Sequence, residues 1–88
     1  MLMIDQQHRI FVFNSLHRVM LAELRLQPHF NLTLMPVPRA LSADCGMVLR
    51  IDSIDYERVQ AQLIAEGLGP FSVYRLVATD FELVGEFS

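Results

Sequence analysis

The chain has 88 residues, enough for one domain with a single small core. It is 52% hydrophobic and 19% charged, which excludes a disordered tail or a collagen-like chain. The net charge is −3, and all seven basic residues are arginines, at positions 9, 18, 25, 39, 50, 58 and 75. Without lysine there is no lysine Schiff base and no P-loop. Residues 1 to 77 are formally neutral, and Asp80, Glu82 and Glu86 supply the net charge. A nucleic-acid partner is not expected, because nothing provides a basic excess. The longest apolar runs, such as Ile10 to Phe13, are four residues, so no membrane span is expected. Met1 to Arg9 has no basic stretch leading into an apolar core, so no signal peptide is expected and the cytoplasm is the default compartment. The single cysteine, Cys45, can form neither an intrachain disulfide nor a multi-cysteine metal site.

Taken in chain order, Arg9 to Asn14 is β-branched and aromatic and reads as a buried strand. Asn14 or Ser15 then caps a helix running to about Leu26, closed by Pro28. On a helical wheel Leu16, Val19, Met20, Leu24 and Leu26 form the apolar arc. Glu23 falls within that arc, so it either reaches solvent near the helix end or pairs with an arginine, with Arg39 the favoured partner. Asn31 to Val37 reads as a second strand, pushed to a sheet edge by Pro36 and Pro38. Pro38 to Cys45 is a loop, and Gly46 to Ile51 a third strand. Asp52 or Ser53 caps a second helix that buries Tyr56, Val59 and Leu63 and stops at Gly67. Phe71 to Val77 is a fourth strand. In the tail, residues 78 to 88, Phe81 and Leu83 alternate with Asp80 and Glu82. That tail adds an edge strand, pairs with a second protomer, or forms a partly ordered terminus.

The order is βαββαβ, which predicts an α+β, ferredoxin-like two-layer sandwich. Its antiparallel sheet has order 4-1-3-2 with both helices on one face. The domain covers residues 1 to 88, with a core from about 9 to 77.

This topology gathers Phe13 to Arg18, Pro36 to Gly46 and Glu66 to Pro70 at one end of the sheet. Cys45 should then lie near the first helix's N-terminus and near His17, both of which favour a thiolate. Asp44 acts in the opposite sense, and Gly46 lets backbone approach and leaves amide donors free. The candidate site is therefore Cys45 as the sulfur, His17 as base or cation, and Arg39 as an anion fork. The residues also admit a plainer reading. Cys45 can be a small buried hydrophobe, His17 a surface residue, Ser15 a cap and Ser42 a loop residue. His8 and His29 show no ligand spacing with Cys45, so neither a metal nor another cofactor is expected.

The stretch Pro36-Val37-Pro38-Arg39-Ala40-Leu41-Ser42-Ala43-Asp44-Cys45-Gly46, followed by an apolar strand, carries the pattern P-x-P-R-x-(I/L)-S-x-x-C-G. Phe13, Ser15 and His17 fit an F-x-S-x-H entry to the first helix, and Ala22-Glu23 fits an Ala-Glu pair inside it. From Ile10 to Leu76 the sequence thereby resembles a family of small proteins, domain of unknown function 3343, described as selenium/sulfur carrier protein-like. Asp44 and the acidic tail depart from the family pattern. The resemblance implies that Cys45 holds a persulfide or selenopersulfide passed between donor and acceptor proteins, without enzymatic turnover. It implies that Arg39 and the helix N-terminus steady the charge, that Pro36 and Pro38 stiffen the loop, and that Glu23 anchors Arg39 or the loop. Two further readings stand beside it. One is a small-ligand-binding or regulatory module in which Cys45 only packs. The other is an interaction domain whose second sheet face, with Met35, Met47, Leu49 and Tyr74, meets a partner. A homodimer is expected.

Overall fold

A computed structural model describes residues 4–41 and 45–88. The elements are β1 (His8–Phe13), α1 (Leu16–Leu26), β2 (Leu32–Pro36), β3 (Met47–Asp52), a 3-10 turn (Ser53–Asp55), α2 (Tyr56–Ala65), β4 (Phe71–Val77) and β5 (Asp80–Phe87). They form one five-stranded antiparallel sheet in the order β2-β3-β1-β4-β5, so the fold is α+β. The first four strands lie in the expected order 4-1-3-2, and a fifth strand is added, so the sheet departs from a four-stranded ferredoxin-like one in strand number. β5 lies outside β4 and takes over that edge, while β2, with Pro36 at its end, holds the other. No described helix is long and apolar enough to cross a membrane.

Strand alternation sorts the side chains into two layers. Phe11, Phe13, Leu49, Ile51, Phe71 and Val73 meet Val19, Ala22 and Leu26 of α1 and Val59 and Leu63 of α2. Phe11 sits at the centre, with its ring 6.0 Å from Tyr56 and 5.7 Å from Phe71. The opposite face is also covered. Ile10, Val48 and Leu76 pack there with Ile4 and Leu41, and Val12, Met35, Val37, Tyr74 and Phe81 border them. The expected interaction face is therefore split: Met47 and Leu49 belong to the helix side, Met35 and Tyr74 to the other.

Two features of the helices depart from expectation. The buried face of α1 is Val19, Ala22 and Leu26. Leu16, Met20 and Leu24, placed in the apolar arc by the wheel, are exposed. Glu23 consequently lies half-buried on the flank of the helix and not at its buried centre. At α2, Asp52 starts the 3-10 turn and Asp55 precedes the helix, and neither makes a side-chain cap bond.

β5 is held by both its ends. Phe87 stacks on Phe71 at 5.1 Å between ring centroids, and Arg75 Nε donates to Glu82 Oε1 at 2.9 Å. A register shift between Val73 and Tyr74 leaves Val84 without a partner, forming a bulge in this edge strand. The two-residue connection to β4 places Ala78 at φ 57, in the left-handed region.

Burial pushes the Tyr56 phenol above its ordinary 10.0, with Glu57 adding to the shift and Arg9 opposing it. The folded state then holds this proton more tightly than the unfolded chain. Stability from this group is complete below the unfolded value and falls as pH rises past it. Tyr56→Phe should flatten the alkaline limb of a stability–pH curve measured by urea unfolding. An unchanged limb would assign the alkaline loss to other groups.

Candidate functional site

The site is assembled at the sheet end where β1 finishes and β3 begins. Ser15, extended at φ −157, caps α1, and its Oγ accepts from the Arg18 amide at 3.2 Å. The Arg18 guanidinium donates to the Gly69 carbonyl, which ties the start of α1 to the turn entering β4. At the C-terminal ends, Arg25 Nη1 and Glu66 Oε1 pair at 2.9 Å and join the two helices. The loop after β2 is closed at its base, where the Val37 amide donates to the Gly46 carbonyl at 2.9 Å. The Leu41 amide donates back to Pro38 at 3.0 Å, and the Leu41 side chain, 7% exposed, plugs into the sheet face away from the helices.

Cys45 is a free thiol, half-buried, two residues before β3. It packs against the helix-side core, and its Sγ donates to the Met47 carbonyl at 2.9 Å. Val12 pairs with Val48, so two residues further along the ladder Asn14 is level with Gly46, and Cys45 borders the entry to α1. Gly46 has φ +75, with no atom within 4 Å of where a Cβ would sit. Glycine is thus favoured there by backbone conformation and not by crowding.

The remaining predicted residues are distributed as follows. His17 is exposed in the first turn of α1, and Arg39 is exposed in the loop. Pro36 is exposed at the end of β2, and Pro38 is half-buried. Ser42 and Asp44 lie outside the described residues. Among the described residues no ion pair joins Glu23 to Arg39, and the recorded hydrogen-bond partner of Cys45 is the Met47 carbonyl, not His17 or Arg39. No metal-binding group of three or more histidine, cysteine or acidic side chains occurs among them.

Leu41 and the Met47 carbonyl are the parts of the site that sequence reasoning passed over. A lone leucine between Arg39 and the polar residues that follow was the available signal for the first. A backbone acceptor has no signal in the sequence.

A shallow open cleft of about 540 Å³ lies between the ends of β1, β4 and β5, lined by Val12, Asn14, Ser72, Tyr74 and Glu86 among others. None of Cys45, His17 and Arg39 lines it.

The chain matches no curated protein and no solved structure. A family model described as "Putative Se/S carrier protein-like" matches residues 8–75. The matched span runs from the first residue of β1 into β4, takes in the proline-arginine loop and Cys45, and stops short of β5. The chain belongs to this Se/S carrier protein-like family.

Proposed function

We propose that the protein carries a sulfur or selenium atom on Cys45 between a donor and an acceptor protein. The supporting observation is that the chain's one thiol is free and partly open to solvent beside the capped start of α1, within the family-matched span. Loading begins when the thiol gives its proton to water and releases the Met47 carbonyl. The thiolate attacks the terminal sulfur of a donor persulfide, R–S–SH. The new bond is Cys45 Sγ–S, the donor's S–S bond breaks, and the donor leaves as a thiolate. Delivery is the same displacement in reverse, with an acceptor nucleophile taking the terminal atom and Cys45 departing as thiolate. No external oxidant or reductant is consumed. The terminal atom of the loaded form carries negative charge, which the helix N-terminus, His17 and the Arg39 fork steady. Ser15 positions that helix end, and Pro36, Pro38 and Gly46 set the path of the loop.

The test is incubation of the native protein with glutathione persulfide, read by intact mass. The protein should gain one sulfur atom, removable by a thiol reductant, and Cys45→Ser should gain none. A native protein that takes up sulfur only after denaturation would overturn the proposal, as would equal uptake by Cys45→Ser.

A further inference from the structure

The outer face of α1 carries Leu16, Met20 and Leu24, at successive steps of four residues and exposed by 48%, 50% and 64%. Such spacing aligns them in one stripe along the helix. The stripe begins one residue after the Ser15 cap, at the end of the helix that Cys45 borders, and runs about 12 Å away from it. The intramolecular core does not use it, because that core takes Val19, Ala22 and Leu26.

We infer that this stripe is the docking surface for the protein that delivers the chalcogen atom to Cys45. The occupant's complementary surface is an apolar ridge with acidic side chains at the end that presents the persulfide. The inference rests on the carrier reading of Cys45.

Charge argues for this occupant. The first turn of α1 contains no acid, and exposed His17 stands there beside the positive end of the helix. Arg18 is in the same turn, and Arg39 is exposed in the adjacent loop. An anionic persulfide flanked by carboxylates is therefore attracted to this end. The chain's own acidic strand, β5, is at the sheet edge opposite β2, and its end at Ser88 meets the Gly69 turn to which Arg18 is bonded.

Area argues against a second copy as the stable occupant. Three half-exposed side chains offer a few hundred Å², below the roughly 800 Å² per partner typical of a stable complex. A small apolar patch with an electropositive end suits a transient encounter, as a carrier that must release its donor requires.

The experiment compares three donors at equal concentration: glutathione persulfide, a rhodanese-type sulfurtransferase loaded from thiosulfate, and a cysteine desulfurase loaded from cysteine. Sulfur uptake by the native protein, Leu24→Lys and Met20→Lys is followed by intact mass. Both substitutions are at exposed positions, and the first lies two helical turns from the cap, so neither alters the chemistry at Cys45 directly. At least one protein donor should load the native protein faster than glutathione persulfide does. Each lysine variant should slow that protein-to-protein transfer about tenfold and leave uptake from glutathione persulfide unchanged. Ile54→Lys, at an 86% exposed position off the stripe, should change nothing. The docking inference is overturned if neither protein donor outpaces glutathione persulfide, or if the variants accept sulfur from the protein donors at the native rate. Failure of glutathione persulfide itself to load Cys45 would strike the carrier reading instead.

Discussion

Phe11→Ala should lower the folding free energy by about 3–5 kcal/mol. Phe11 is fully buried in the central strand, between the helix layer and the neighbouring strands. Its ring meets Tyr56 from α2 and Phe71 from β4, and Phe71 in turn stacks on Phe87 of β5. Removing it leaves a cavity bounded by three elements that the sheet prevents from closing. A domain of this size typically has about 5–15 kcal/mol in total, so the variant should be largely unfolded well below the wild-type urea midpoint. The fall should also loosen β5, because the aromatic chain that docks it begins at Phe11. A midpoint close to wild type would mean that the core repacks around the gap and that the ring contacts contribute little.

Leu41→Ala should cost about 2 kcal/mol or somewhat more, and should also affect the site. Leu41 is the buried one among the described residues of the loop between β2 and β3, and it packs on Ile10, Val48 and Leu76 together with Ile4. The backbone around it is held by a short turn, the Leu41 amide bonding to Pro38. Without the side chain, that turn has little to keep it on the sheet. Native alkylation of Cys45 should therefore rise several-fold more than global destabilisation explains. Leu76→Ala supplies the comparison, since it removes the same atoms from the same cluster without belonging to the loop. Equal reactivity of Cys45 in the two variants, at matched stability, would show that Leu41 stabilises the domain but does not hold the loop.

Much of the element order was legible because it depends on local patterns. The aromatic, β-branched run from Ile10 to Phe13 forms β1, Ser15 caps α1 through its own Oγ, and Pro36 ends β2 at a sheet edge. The last hairpin was harder to read, and the tail remained open between strand and free terminus. Ala78 and Thr79 are not the glycine-containing pair that usually marks a two-residue turn. Ala78 nevertheless adopts a left-handed φ, held there by seven residues of β5 pairing with β4 and by the Phe87 stack. Part of the site was legible for the same local reason. Cys45 stands next to a glycine and before an apolar strand, in the loop that follows Pro36 and Pro38.

The sequence by itself determined the first four strands and both helices, that the chain has one thiol, and that this thiol leads into β3. Hydrophobic periodicity, capping residues and prolines act over a few residues, and the order of amino acids is enough to specify them. Tertiary structure alone decided which face of α1 is buried. Six apolar residues and Ala22 compete for the sheet, and Val19, Ala22 and Leu26 turn inward while Leu16, Met20 and Leu24 stay outside. It also decided that Leu41 anchors the loop on the far face of the sheet and that the Cys45 thiol bonds to the Met47 carbonyl. Those outcomes depend on which surfaces meet across the sheet, and that is set by packing among residues far apart in the chain.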